Sequence, residues 1–370
     1  MQADYQARLS KLRERAGLTD GRVAAVALVP GANLDYFTGL DLHLSERPII
    51  ALITRDGLAV IVPQLEAIKL DNRPDLAARA FAWTDEAGYA GAVAAAITAL
   101  DLRGQTLGVD GMTMRVTEWL AFQAADPSLR VAAVERDLIA VRAIKAPDEI
   151  EAMRRAIQVS EGALALLLAE IAPGMTERAI AARLNQLMDQ LGAEGLAFET
   201  HVQTGPNSAV PHGSITERAL GADDVLLIDF GARMGGYPAD ITRAFCLGDP
   251  SAELQTIHAT VLRANEAAQA AAGPGVPMSA VDEAARTVIA AAGYGDYFTH
   301  RTGHGLGLET HEPIPQIAAG VSDPLEIGMT FTIEPGIYVP GVGGVRIEDN
   351  VVITADGIDV LTSFPRQLRP

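Results

Sequence analysis

The sequence predicts two domains, a small α/β domain followed by a larger α+β domain. A chain of 370 residues exceeds what one hydrophobic core usually organises. Up to about residue 134 short β-rich runs alternate with helical ones, whereas later segments repeat a helix pair followed by a glycine-punctuated hairpin. The pattern changes at ERDLIAVRAIKAPDEI. The predicted domains are therefore residues 1–138 and 139–370.

In the first domain, apolar runs of β-favouring residues predict strands, and an alanine-rich run predicts a helix. The strand runs are VAAVALV, PIIALIT and LAVIV, and the helix covers residues 85–100. The amino-terminal segment MQADYQARLSKLRERAG predicts a charged amphipathic helix and lacks the apolar stretch of a secretory signal. We therefore expect a cytoplasmic location.

The second domain predicts helices that alternate with antiparallel hairpins. Pro147 suits the first turn of a helix that runs to about residue 171. Further helices are predicted over residues 176–191, 251–272 and 279–292, the last with Ser279 and Asp282 as a capping box. The hairpins are DVLLIDFGARMGGYPADITRAF and GMTFTIEPGIYVPGVGGVRIEDNVVIT. This order predicts a curved antiparallel sheet with helices on one side.

Composition restricts the function classes. A formal net charge of −18 argues against nucleic acid as a partner, because such binding needs Lys and Arg to neutralise phosphates. No apolar run approaches the roughly 20 residues of a membrane helix, so we expect no membrane partner. Cys246 is the only cysteine, which excludes an intrachain disulfide and a thiolate metal cage. We interpret it as a packing residue, and any metal must be bound by oxygen and imidazole.

Two carboxylates in the first hairpin have the chemistry of metal ligands. Asp229 ends the apolar run VLLID, where a buried carboxylate needs a partner. Asp240 lies beyond Gly235 and Gly236, and a chain reversal there brings the two acids side by side. A cation would relieve their repulsion.

Three later residues complete the candidate set. His304 lies in the glycine-rich TGHGLGLETHE, Glu334 ends a strand before Pro335, and Glu348 shares a strand face with Arg346. Any one of these residues is more often a strand-end cap or a surface group, but five together favour a site. Four carboxylates and one imidazole suit Mn, Co or Zn and balance two divalent ions. Paired ions promote hydrolysis, with peptide-like bonds as the default substrate.

These segments closely resemble the creatinase and methionine-aminopeptidase superfamily, specifically its Xaa-Pro peptidase branch, which contains prolidase and aminopeptidase P. In the first domain NLDYFTGL is similar to the smaller domain of that family. In the second domain the resemblance covers VRAIKAPDEIEAMRRA, QTGPNSAVPHG, IDFGARMGGYPADITRAF, HRTGHGLGLETHEPIP, MTFTIEPGIYVP and GVRIEDNVVIT.

The resemblance implies a creatinase-like amino-terminal domain and a pita-bread catalytic domain with two divalent ions per chain, Mn favoured over Zn or Co. Asp240 and Glu348 would bridge the ions, Asp229 would bind one ion, and His304 and Glu334 the other. Glu334 would also transfer a proton. His212 and His311 would hold substrate and stabilise the developing oxyanion; the alternative is that both are solvated loop histidines.

The implied substrates are proline-containing dipeptides or short peptides, with the dipeptidase favoured over the aminopeptidase. A homodimer is expected, in which the loop 43–47 of one subunit approaches the active site of the other and Arg47 binds the substrate carboxylate. The alternative is a surface arginine paired with Glu46. Tyr237 and Arg346 are further substrate-binding candidates; packing is the alternative for Tyr237, and orientation of the acids for Arg346.

Two other functions stay open at this point. One is a creatinase-like amidinohydrolase, and the other is an inactive peptidase-like binding module. The five intact candidate ligands argue against both. The remaining histidines give weaker signals, and among them a structural role is expected for His258; they are His43, His201, His258 and His300.

Overall fold

The computed structural model describes residues 4–211 and 213–369. The chain divides into two compact units, Met1–Arg142 and Ala143–Pro370. The sequence placed the boundary between residues 138 and 139. Among the described residues, no helix is both long and apolar enough to cross a membrane.

The first unit is built on a mixed six-stranded sheet. Its helices are α1 (Tyr5–Arg15), α2 (Ala32–Thr38), α3 (Ile68–Asp71), α4 (Ala90–Ala99), α5 (Val116–Ala125) and α6 (Glu135–Ala143). Its strands are β1 (Ala25–Leu28), β2 (Ile50–Thr54), β3 (Leu58–Pro63), β4 (Arg79–Trp83), β5 (Thr106–Val109) and β6 (Arg130–Ala133). The strand order is β4-β3-β2-β1-β5-β6, with β1–β2 and β2–β3 antiparallel and the other pairs parallel.

The three strands predicted in this unit are confirmed as β1, β2 and β3, whose apolar residues are buried. The helix predicted over residues 85–100 was wrong at its start, because α4 begins at Ala90. Gly88 has φ 68° and donates its backbone N–H to the carbonyl of Thr84. This turn in the left-handed region cannot continue into a right-handed helix.

The second unit combines two helix pairs with antiparallel strands. Its helices are α7 (Pro147–Glu170), α8 (Glu177–Gln190), α9 (Ala252–Ala271) and α10 (Met278–Ala291). Its strands are β7 (Gly195–Leu196), β8 (His201–Thr204), β9 (Leu226–Phe230), β10 (Ala232–Met234), β11 (Tyr237–Pro238), β12 (Ile241–Phe245), β13 (Gly303–Gly305), β14 (Glu312–Ile317), β15 (Thr330–Ile333), β16 (Gly336–Val339), β17 (Gly343–Arg346), β18 (Asp349–Thr354) and β19 (Gly357–Val360).

The strands of the second unit form antiparallel sheets of two, three and five strands. The orders that matter for the site are β12-β9-β8 and β14-β13-β15-β18-β19. The reversal predicted at Gly235 and Gly236 is confirmed: both glycines have positive φ, 58° and 81°, between β10 and β11. Beyond that turn the chain returns as β12, which pairs with β9 so that Thr242 lies opposite Asp229.

Two apolar clusters support these sheets. The first is formed by α9, α10 and strands that include β15, β17 and β18, and the second by α7, α8 and strands that include β9 and β12. The capping box predicted for α10 was wrong. The helix begins at Met278 after Pro277, and the carboxylate of Asp282 instead accepts hydrogen bonds from Arg286 and from Thr302.

Candidate metal centre

A cavity of about 780 Å³ lies in the second unit, where the two sheets bring their acidic strand ends together. Five carboxylates and four histidines line it. The lining residues are Phe198, His201, Pro211, Asp229, Asp240, His300, Arg301, His304, Glu309, Thr310, His311, Glu334, Arg346 and Glu348.

Strand ends bring the five candidate ligands into this cavity. Asp229 lies in β9, Asp240 directly precedes β12, His304 is the middle residue of β13, Glu334 follows β15, and Glu348 directly precedes β18. Their ligand atoms fall into groups within 4.8 Å, one with Asp229, Asp240 and Glu348 and another with His304, Glu334 and Glu348. A region so dense in carboxylates has the character of a cation site.

Close backbone approach at two glycines makes this convergence possible. A Cβ atom on Gly303 would lie 1.8 Å from the carbonyl oxygen of Thr332, and one on Gly231 would lie 1.9 Å from that of Ala239. Gly303 directly precedes His304, and Gly231 follows the strand that carries Asp229. Any side chain at either position would push the ligand-bearing strands apart.

The imidazole of His304 is held in its neutral form. Its Nδ1 lies 3.1 Å from the carbonyl oxygen of Gly305, which assigns the ring hydrogen to Nδ1. Nε2 then carries the lone pair and lies 3.4 Å from Glu334 Oε1 and 3.5 Å from Asp240 Oδ2. Burial, followed by the neighbouring His311, lowers the pKa of His304 to about 3, so the ring is uncharged at neutral pH.

The acids carry the opposite perturbation. Burial and then repulsion between neighbouring carboxylates raise the pKa of Asp240 and of Glu348 well above the ordinary values. Burial raises the pKa of Glu334 from 4.5 to about 7, against the opposing charge of Arg346. The metal-free fold therefore binds protons at these acids more tightly than the unfolded chain does.

The donor set fits divalent cations. Within the parts of the chain that the structure describes, no hydrogen-bond donor reaches the buried Oδ1 of Asp229, although Oδ2 accepts one from Arg346 at 2.5 Å. An unpartnered carboxylate oxygen is costly in a protein interior unless a cation binds it. Hard oxygen donors with one neutral imidazole are the ligands that Mn, Co and Zn accept.

A buried hydrogen-bond network orients these acids. Arg346 donates from Nε to Thr242 Oγ1 at 2.9 Å and from Nη1 to the hydroxyl of Tyr338 at 2.9 Å, in addition to its bond to Asp229. The hydroxyl of Thr242 in turn donates a hydrogen bond to Glu348 Oε2 at 2.6 Å. Arg346 lines the cavity, but its guanidinium is engaged with the acids, which favours the orienting role over substrate binding.

Family models identify both units. The model of metallopeptidase family M24 matches residues 151–355, more than half of the chain, and the creatinase/prolidase N-terminal domain model matches residues 8–144. The chain belongs to metallopeptidase family M24. The pita-bread domain preceded by a creatinase-like domain, expected from the sequence resemblance, is thereby confirmed.

Relatives of this M24 peptidase agree over almost the entire length. An uncharacterized peptidase of Staphylococcus aureus is 33% identical over 350 residues, which cover 94% of this chain and 97% of the relative. The prolidase of Thermococcus sibiricus has 33% identity and a TM-score of 0.93 with 100% of both chains covered. The X-Pro aminopeptidase of Thermotoga maritima has 32% identity and a TM-score of 0.84, covering 94% of this chain and 97% of its own.

Some histidines of this M24 peptidase line the cavity and others lie outside it. His311 is exposed and lies against His304, with ring centroids 4.0 Å apart and an interplanar angle of 67°. His201 and His300, which gave weak signals in the sequence, also line the cavity. His212 lies outside the described residues. The others are the exposed His43, in the first unit, and His258, buried in α9.

Two substrate-binding predictions are placed elsewhere. Tyr237 is buried and is not among the residues that line the cavity, and its hydroxyl donates to Glu149, an arrangement that favours the packing alternative. Arg47, in the first unit, donates to both carboxylate oxygens of Asp85, at 2.9 and 2.8 Å, and to Glu46 at 2.8 Å. The pair with Glu46 is the surface alternative considered above.

Sequence reasoning missed several residues of the site. Thr242 connects Arg346 to Glu348, Tyr338 connects Arg346 to His300, and Phe198 lines the cavity. For Thr242 the signal was strand alternation, which places its side chain on the same face as Asp240.

Proposed function

We propose that this M24 peptidase is a two-metal Xaa-Pro peptidase, with a dipeptidase favoured over an aminopeptidase. The observation that carries the proposal is the meeting of five candidate ligands, each from a different strand or strand end, in one cavity. Full-length similarity to a protein described as a prolidase supports the substrate class. Manganese is the proposed metal, with Zn or Co as alternatives, and the proposed location is the cytoplasm.

In this proposal two divalent cations would be held by these residues: Asp240 and Glu348 would serve both, Asp229 would bind one, and His304 and Glu334 would bind the other. The occurrence of both Asp240 and Glu348 in two groups supports it: Glu348 lies in the carboxylate group and in the group with His304 and Glu334, and Asp240 lies in the carboxylate group and in one with His304 and His311. When bound, such paired ions lower the pKa of water and polarise a carbonyl. Four carboxylates against two divalent charges make an electrically balanced site.

The chain itself would supply proton transfer and orientation. Glu334 would accept a proton on its carboxylate and release it to a leaving amine. The exposed ring of His311 stands at the cavity, next to His304, where it can donate to an oxygen on which negative charge develops. Arg346 and Thr242 keep the carboxylates in place during the reaction.

A dipeptide ending in proline brings its free carboxylate to an acidic site, so a dipeptidase needs a cation for that end. We propose a homodimer in which the partner's Arg47 supplies it, from the loop 43–47. To do so this arginine would leave Asp85 and Glu46, an exchange of one carboxylate for another that costs little at an exposed position.

The test of substrate class compares three peptides on one preparation. Protein freed of metal by chelation and reloaded with Mn²⁺ should cleave Ala-Pro faster than Ala-Pro-Ala and leave Ala-Ala almost intact. Preference for the tripeptide would make the aminopeptidase the better assignment. No hydrolysis of any peptide by fully metal-loaded protein would instead favour the binding module.

The test of the metal centre is metal analysis with Glu348→Ala. The parent should hold two ions per chain, and the variant should lose occupancy and turnover together because a bridging carboxylate serves both ions. Glu309→Ala is a suitable control, since this acid lines the same cavity outside the candidate ligand groups. Full occupancy and normal turnover in Glu348→Ala would contradict the bridging role.

A further inference from the structure

Behind the candidate metal centre lies a buried ion pair that the proposed mechanism does not use. Arg243 in β12 and Asp349 in β18 have side chains that are 1% and 0% exposed, and Nη2 lies 2.9 Å from Oδ1. The two strands belong to different sheets. A buried pair offsets its desolvation cost only when the remaining donors and acceptors are also satisfied. The other contacts of the two side chains therefore show what the pair holds in place.

The guanidinium of Arg243 binds backbone carbonyls of the metal site. Nη1 donates to the carbonyl oxygen of Glu348 at 2.6 Å and to that of Thr242 at 2.9 Å. Nη2 donates to Phe364 O at 2.9 Å besides its bond to Asp349, and Nε points at the same carbonyl at 3.3 Å. The backbone of one candidate ligand and of the residue that orients it are thus held by one planar group.

The second oxygen of Asp349 extends the contact to α9 and to the segment after β19. It accepts from Gln269 Nε2 and from Arg366 Nε, each at 2.9 Å. Gln269 Nε2 also donates to Asn265 Oδ1 at 2.8 Å. The side-chain amide of Asn265 donates in turn to two backbone carbonyls, each of the residue before a candidate ligand. These carbonyls, at 3.0 and 3.3 Å, belong to Ile333 and Ile347.

We infer that Arg243 is a positioning residue for the metal centre: held by Asp349, it fixes the backbone of Thr242 and Glu348 and so sets the place of the Glu348 carboxylate. This inference rests on the proposed two-metal function. Outer partners of metal ligands commonly change affinity by about 10–100-fold when they are altered. Lysine cannot substitute, because its three donors share one atom and do not span carbonyls on separate strands.

The experiment compares Arg243→Lys and Arg243→Met with the parent and with Leu184→Ala. Leu184 is fully buried in α8, within the cluster of α7 and α8, and its truncation lowers global stability without touching the network. Arg366→Ala is included because it removes one contact of Asp349 and leaves Arg243 in place. For each protein we would measure Mn²⁺ affinity by calorimetry, kcat and KM on Ala-Pro, and thermal stability.

A readout on the metal-free proteins completes the design. The amide of Glu348 donates to the carbonyl of Thr242 at 3.2 Å, the same carbonyl that Arg243 holds. Hydrogen exchange at that amide therefore reports on the positioning without any metal. It should be faster in Arg243→Lys and unchanged relative to global stability in Leu184→Ala.

The expected result is a Mn²⁺ affinity about 10–100-fold weaker in Arg243→Lys, with kcat recovered by excess Mn²⁺ and KM little changed, and a smaller loss in Arg366→Ala. If Arg243→Met fails to fold, Arg243→Lys and Arg366→Ala still test the inference. Parent-like affinity and exchange in Arg243→Lys would overturn the inference, as would an equal loss of affinity in Leu184→Ala. A parent that neither binds Mn²⁺ nor cleaves Ala-Pro would defeat the proposed function, while metal-free exchange would still test the positioning.

Discussion

Replacement of Thr242 by valine should disable the centre while leaving its shape intact. The hydroxyl is fully buried, donates to Glu348 at 2.6 Å and accepts from Arg346 at 2.9 Å. Valine removes both bonds and leaves the guanidinium of Arg346 and the carboxyl group of Glu348 without this partner in the interior. Hydrogen bonds to charged groups contribute about 1.5–3 kcal/mol each. Because the two bonds share one oxygen and do not add fully, we expect a loss of about 3 kcal/mol.

The assay is urea unfolding of the metal-free protein, followed by kcat/KM on Ala-Pro with Mn²⁺. Thr242→Ser is the matched control, since it keeps the hydroxyl and removes only a buried methyl worth about 1 kcal/mol. We expect kcat/KM to fall about 10–100-fold in Thr242→Val and to stay close to the parent in Thr242→Ser. A valine variant as stable and active as the serine variant would refute the reasoning.

Four further outcomes are expected. His311→Ala should lower turnover about 100-fold with metal content intact, as for loss of an oxyanion donor, and metal loss measured by elemental analysis would contradict that role. Cys246→Ser should keep activity within a few-fold, since no step uses a thiol; complete inactivation of folded protein would count against a metal-dependent mechanism. Arg47→Ala should weaken Ala-Pro hydrolysis by roughly 1.5–3 kcal/mol but spare Ala-Pro-Ala, and equal loss on both peptides, or a monomer in sedimentation, would argue against the shared site. The metal-free protein should lose stability between pH 6.5 and about 7. In that range the folded state still binds a proton at Glu334, whose pKa is raised to about 7, whereas the gain in stability that the lowered pKa of His304 produces between pH 3 and 6.5 has ended. Urea titrations that show rising stability there would contradict the assigned shifts.

The sequence was sufficient for those parts of the site that depend on local pattern. Asp229 and Asp240 flank a glycine turn, and strand alternation fixes their direction, so their meeting was predictable from a short stretch of chain. His304 and Glu334 stand in glycine- and proline-marked segments whose character is also local. The fold class followed from the same periodicities.

Contacts between distant segments were beyond such reasoning. Thr242 and Glu348 are 106 positions apart, and Arg243 reaches Phe364 across 121. Neither partner is implied by the residues around it. The pair of Arg47 with Asp85 spans 38 positions and was missed for the same reason. Capping failed at Asp282 because a tertiary partner, Thr302, outweighed the local preference.

The wide spacing of the candidate ligands along the chain has a consequence for biosynthesis. Asp229 and Glu348 are separated by about 120 residues, which take roughly 6 to 24 s to translate at ~5–20 residues per second. Phe364, whose carbonyl binds Arg243, is synthesised later still. Throughout that interval the nascent chain has no cavity that brings all the candidate ligands together. The proposed hydrolytic activity can therefore appear only after almost the entire second unit has been synthesised. A chain that terminates before Glu348 would lack the complete set of candidate ligands.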